Sequence, residues 1–320
     1  MSKFSSDLAR AVRREMLDPE FTARAGIGLG RGRVFWVKQE AAADYTTFVA
    51  EHPVYEDNIA SVYTTIQAAI NAAVTNRGDY IYVTSDGSDY DSATTITVNK
   101  NRLHVLAPQG FDGGGFGANN SVRLNATGDV PVFTISAAPC EIAGFFIKCA
   151  TDQPAFTLTT GLFHIEIHHN YVGGATEDGD GLGLIYTAGY TNHCSIHDNY
   201  FDGAYAPGTT KTIAGAIVLS SASNTRNIIS NNIIVTGTAT TLTKAIYVGG
   251  VGTIVSGNKL FEYPDGTLTI GIQAAANVLV IDNKVAMETG NIANALAGAA
   301  ADLIIMNYGT DAAGGATLLQ

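Results

Sequence analysis

Five of the seven histidines fall in two short runs set 29 residues apart, His164, His168 and His169, then His193 and His197. Imidazole ligates transition metals and titrates near neutrality, so a cluster of histidines is the first place to look for chemistry. Two other segments are rich in carboxylates, SDGSDYDS with Asp86, Asp89 and Asp91, and TEDGDG with Glu177, Asp178 and Asp180. Such spacing with glycine suits calcium, but neither segment has the twelve-residue EF-hand form, and a solvated turn is the preferred reading. Cleaving a glycosidic bond needs two carboxyl groups across a sugar, roughly 5 to 10 Å apart. Asp198 and Asp202 are the best pair, yet the place of Asp198 is taken by His169, Asn231, Gly257, Asp282 and Met306 elsewhere in the chain, so nothing singles it out. Tyr186, Tyr190, Tyr200 and Tyr205 offer stacking surfaces to carbohydrate beside the variable segments 172–183 and 202–214. Cys140, Cys149 and Cys194 have no metal-ligand spacing and read as buried free thiols.

The elements that must position these residues show themselves as a repeat. IHHN, IHDN, ISNN, VSGN, VIDN and IIMN share the form aliphatic-x-x-Asn and end at Asn170, Asn199, Asn232, Asn258, Asn283 and Asn307. The intervals are 29, 33, 26, 25 and 24 residues, converging on one coil length. A second column, Phe156, Ile185, Ile217, Ile246 and Ile272, precedes those asparagines by 14, 14, 15, 12 and 11 residues. Parallel strands stacked about 4.8 Å apart set each inward side chain on its own counterpart, so like residues pile into files. An inward corner asparagine can pass its amide to the next one's carbonyl, which makes this ladder scaffold rather than active site. The pattern predicts an all-β, right-handed, single-stranded parallel β-helix over residues 56–310.

With Ile167 and Ile196 inward, alternation turns His168 and His197 outward, and Glu166 shares their face. His164 and His193 hold equivalent places one coil apart, so the four should stack in pairs. Such a patch suits zinc or nickel where several chains bring it to a common axis. A polar row at an interface is preferred, and no cofactor is expected.

Ahead of the repeat, Val34–Val37 reads as a strand, and in SVYTTIQAAINAAVTNRGDYIYV the residues Val62, Ile66, Ala69, Ile70, Ala73 and Val74 fall on one helical face. Gly78 should stop that helix, and Tyr80–Val83 should begin a strand, so the helix would cap the open end of the first coil. Ser5, Ser6 and Asp7 before Leu8, Val12 and Met16, with Pro19 beyond, predict a short helix in an extended arm over residues 1–55. Residues 1–38 hold eight bases, including Arg10, Arg13, Arg14, Arg24, Arg31 and Arg33, against four acids. The arm is therefore +4 and the rest of the −11 chain is −15, so the two should meet different partners. Nucleic acid is the less favoured of these, because the acidic body would repel a duplex. No membrane span or export signal is evident, which predicts a soluble protein made in a cytoplasm. The segment QGFDGGGFGANN at 109–120 lacks the context of a phosphate loop and reads as a turn.

TIQAAINAAVTNRGDYIYV, the IAGFFI segment and the asparagine ladder together resemble the pectin-lyase-like superfamily of right-handed β-helices, over roughly residues 60–310. That fold hosts lyases, hydrolases, tailspikes and inert structural proteins. The polygalacturonase motifs (NxD, DD, HG, RxK) do not occur in order, nor do the calcium aspartates and catalytic arginine of pectate lyases. Among members, the chain looks most like a virion protein of tailed bacteriophages, with a short basic arm and a β-helix body that would trimerise. Tailspikes carry separate head-binding and C-terminal trimerisation domains, whereas here AAGGATLLQ, the tail at 311–320, follows soon after the last coil. The resemblance thus implies a homotrimeric capsid decoration or projecting protein in the virion, held to the major capsid protein or another virion protein through residues 1–55. It leaves open a tailspike-like protein that binds or depolymerises host surface polysaccharide, and a secreted pectate-lyase-like enzyme.

Overall fold

The computed structural model describes residues 32–52, 54–85, 89–108, 122–149, 153–173, 185–187, 189–203, 211–237, 240–263, 266–275, 277–287, 295–298, 303–305, 307–310 and 316–319. Arg10, Arg13, Arg14, Arg24 and Arg31, the expected helix near residues 5–19, the turn expected at 109–120, Asp86, Glu177, Asp178, Asp180 and Tyr205 lie outside them. Among the described residues the chain winds as a parallel β-helix with three long sheets, here A, B and C, of 11, 10 and 8 strands. A coil runs from sheet A to B to C and back, as in Ile165–His168, Tyr171–Gly173, Ile185–Thr187 and then Ser195–His197.

Both sequence columns are files in this stack. Ile142, Ile167, Ile196, Ile229, Val255, Val280 and Ile304 are register partners on sheet A. Phe156, Ile185, Ile217, Ile246 and Ile272 are partners on sheet C. Leu124, Ile147, Val172, Phe201, Ile234, Leu260 and Val285 make the third file, on sheet B. Residues of these files enclose one continuous apolar core. Phe133 and Phe156 stack inside it with centroids 5.4 Å apart and planes at 6°. An inward side chain in a coil is covered above and below, so each file tolerates only apolar residues of similar girth.

The corner from sheet A to sheet B is tight. One residue takes a left-handed conformation, His169, Asp198, Asn231, Gly257 or Asp282 with φ between 52° and 65°, and the next is the ladder asparagine. Asn, Asp, His and Gly are the residues that tolerate this conformation most readily, so the file records a backbone demand. A second left-handed file, His164, His193, Arg226, Gly252 and Asn277, forms the corner from sheet C back to sheet A.

The ends differ from the sequence expectations in three respects. First, Val34–Val37 belongs to the solenoid, pairing parallel with both Val62–Tyr63 and Tyr80–Val83, and Phe35 and Val37 are fully buried. Helix α1, Tyr45–Glu51, follows it and sets Phe48 against Trp36, with centroids 5.8 Å apart. Second, the capping helix α2 is shorter than its apolar pattern, running Ile66–Ala72 with Thr65 accepting the N–H of Ala68 at its start. Ile66, Ala69 and Ile70 face the core, whereas Val62 lies in a strand and Val74 is exposed. The helix ends at Ala73, ahead of Gly78, where the Val74 N–H turns to the buried carboxylate of Asp79. Third, Ala316–Leu319, within the expected tail, pairs antiparallel with Asn307–Thr310, the one antiparallel pairing among the described strands. An antiparallel strand caps the sheet edge that a further coil would otherwise occupy.

Candidate functional site

Alternation along sheet A sends two files outward, side by side. One reads Tyr80, His104, Glu141, Glu166, Ser195, Ile228, Ile254 and Leu279; the other Trp36, Tyr82, Leu106, Ala143, His168, His197, Ser230, Ser256 and Ile281. The face is aromatic at its N-terminal end, charged in the middle and aliphatic beyond. Tyr80 stacks on His104 with centroids 4.4 Å apart, and Trp36 sits 5.2 Å from Tyr82.

The middle is a linked set of imidazoles and carboxylates. Glu141 contacts His104 through Oε2 at 2.5 Å and His168 through Oε1 at 2.8 Å. His197 meets Glu166 at 3.0 Å and Asp198 at 2.7 Å, one through each ring nitrogen. His168 and His197 stack nearly parallel, 4.9 Å apart at 2°, and Nδ1 of His168 lies 2.7 Å from Nδ1 of His169. The hydrogen bonds of His104 and then His168 push the Glu141 carboxyl down to about 2. For His197, burial works against the charged form, but the bonds from Asp198 and Glu166 outweigh it and raise its pKa.

His164 and His193 also stack, at 5.2 Å, but at the corner that opens these same strands, away from the carboxylates. Glu141 and His104 were missed in the sequence, although each stands one residue before an inward member of the sheet A file, as Glu166 does before Ile167.

The asparagine ladder runs inside the corner between sheets A and B. Nδ2 of Asn170, Asn199, Asn232, Asn258 and Asn283 each donates to Oδ1 of the next rung at 2.9–3.1 Å, reaching Asn307. The same Oδ1 atoms accept the backbone N–H of the preceding rung. All six asparagines are buried. Their polar groups are occupied by the scaffold.

The remaining candidates separate. Asp198 is at an exposed corner beside His197, while Asp202 is buried on sheet B, where it accepts the hydroxyl of Tyr171. The two do not share a face, so they make no glycosidase pair. Glu141 and Glu166 do face each other, but its hydrogen bonds hold Glu141 strongly acidic, which does not suit the role of general acid. Tyr200 stacks on Tyr171 on sheet B, Tyr186 lies on sheet C, and Tyr190 is in the turn after it, so these tyrosines do not converge. Asp91 lies in a strand and accepts from Asn125, and Asp89 pairs with Arg123. Arg33 is engaged with the body, bidentate to Asp57 and 4.6 Å over the Tyr55 ring, because it directly precedes Val34–Val37, a strand paired on both sides in sheet A. The three cysteines are buried free thiols, with Cys149 pushed up to about 12 by burial. No described helix is long and apolar enough to cross a membrane.

The protein is thus a parallel β-helix with a histidine–glutamate patch on one outer face. No protein-family model matches the chain, and no curated protein is similar to it in sequence. Among solved structures it is similar to a rhamnogalacturonan lyase, at 11% identity over 86% of this chain and 87% of that one, with a TM-score of 0.41. It is also similar to ORF18 of Geobacillus virus E2, at 13% identity over 76% of this chain and 56% of that one, with a TM-score of 0.24.

Proposed function

We propose that the chain is a structural protein of a phage virion, a stiff projecting or decorating rod in a homotrimer, attached through its basic N-terminal segment to the major capsid protein or another virion protein. The observation that carries this reading is the aliphatic end of sheet A's outer face. Ile228, Ile254 and Leu279 stand outward in register, with Ile281 beside Leu279 in the neighbouring outward file, and Ile228 is 44% exposed. A row of large aliphatics on the solvent side of a rigid sheet favours burial against its own copy across a symmetry axis. The +4 charge of residues 1–38 against the −15 remainder supports attachment at that end. Ultracentrifugation should give three times the 33.5 kDa chain mass, and Ile228→Asp should sediment as a folded monomer. Removing residues 1–31, which spares the Arg33 contacts, should leave a folded trimer that no longer co-sediments with particles. A monomeric wild type, or a truncated chain that still binds particles, would defeat the reading.

A second reading, binding of host surface polysaccharide, is favoured by the aromatic ramp of Trp36, Tyr80 and Tyr82 leading to Glu141. Aromatic faces and carboxylates side by side suit sugar rings. Retention of wild-type chain, but not Tyr82→Ala, on immobilised capsule or lipopolysaccharide would support it.

A further inference from the structure

We propose that the outer face of sheet A binds one divalent transition-metal ion between Glu141, Glu166 and His168. Donor atoms of these three residues lie within 4.8 Å of one another. They come from two adjacent strands, Glu141 being the register partner of Glu166 and His168 standing two residues further along the second strand. Around a zinc ion with ligands at about 2.1 Å, donor atoms sit about 3.4 Å apart. The Glu141–His168 contact of 2.8 Å has only to open slightly, and Glu166 has only to swing inward.

The surroundings are organised as such a site requires. Each of the three ligands is held on its far side by another imidazole, so its near atom can turn toward the ion once the bond between Glu141 and His168 opens. His104 holds Oε2 of Glu141, His197 holds Glu166, and Nδ1 of His169 meets Nδ1 of His168. Outer partners of this kind orient metal ligands and fix the imidazole tautomer. The backbone beneath is four consecutive paired strands of sheet A, so little ordering remains to be done on binding.

Charge argues the same way. Two carboxylates directly opposite each other on neighbouring strands repel, and a dication between them removes that repulsion. One imidazole and two carboxylates suit zinc, manganese or cobalt better than calcium, which prefers six to eight oxygens. The Glu166 side chain is 47% exposed, so a fourth position opens to solvent. The site stands whichever reading of the function holds.

The test uses untagged full-length chain, stripped with chelator and titrated with zinc chloride by calorimetry. One zinc per chain is expected, and cobalt substitution should give visible d–d bands. His168→Ala and Glu166→Gln should weaken zinc binding by more than the about 10–100-fold expected of His104→Ala, an outer partner. The double variant His164→Ala/His193→Ala should bind as wild type, because that stacked pair lacks the carboxylates. Circular dichroism verifies each fold, and His168→Gln replaces His168→Ala should the latter not fold. Absence of binding at millimolar zinc, unchanged affinity in Glu166→Gln and both His168 variants, or loss confined to the His164/His193 variant would overturn the proposal.

Discussion

Asn258→Ala should cost the protein a large part of its stability although it removes only three heavy atoms from one side chain. Asn258 is fully buried. Its Nδ2 donates to the carbonyls of Ile229 and Ser256 and to Oδ1 of Asn283, while its Oδ1 accepts from both the backbone N–H and Nδ2 of Asn232. Alanine breaks all five bonds. The carbonyls retain acceptor capacity for other partners, but the two Asn232 donors are left pointing into a dry corner. A buried unsatisfied donor costs about 1–3 kcal/mol, so the pair sets the loss at roughly 2–6 kcal/mol. Asn258→Asp should be worse, because a carboxylate there cannot donate and would face the Asn283 oxygen. Urea unfolding followed by far-ultraviolet circular dichroism measures the difference. A loss below about 1 kcal/mol, or an aspartate variant as stable as wild type, would show that the ladder bonds do not hold the corner.

Phe156→Ala, which empties the ring stacked on Phe133, should cost about 3–5 kcal/mol in the same titration. Asn231 holds φ at 56°, so Asn231→Val should lose about 1–3 kcal/mol whereas Asn231→Gly should stay much closer to wild type. Gly257→Ala should also destabilise, since Gly257 holds φ at 65° and an added Cβ would in addition push aside Oδ1 of Asn231, 2.5 Å away. The thiols of Cys140, Cys149 and Cys194 are buried with raised pKa values, so Ellman's reagent should label none of them in native protein and all three in urea. Fast native labelling would show that the coils around them open.

The period of the coil, the sheet A and sheet C files and the asparagine rungs could all be read from residue types, because every inward position is pressed between its counterparts in the coils above and below. That pressure repeats with each winding and leaves a periodic trace. The left-handed corners left one too, in the run His169, Asp198, Asn231, Gly257 and Asp282, which marks a backbone conformation rather than chemistry. The outward contacts left only part of one: His168, His197 and Glu166 could be placed on one face and the histidine pairs stacked, but Glu141 and His104 could not be joined to them. Glu141, Glu166 and His168 come together on neighbouring strands, with His104 directly across from Glu141, and with His168 and His197 reaching diagonally to Glu141 and Glu166, so their meeting depends on strand register and side-chain rotamers. The docking of Arg33 on Asp57 and the antiparallel return of Ala316–Leu319 are likewise single events without a repeat. Stacking imposes its order on what it buries in every coil, and only the folded chain decides what meets on the surface once.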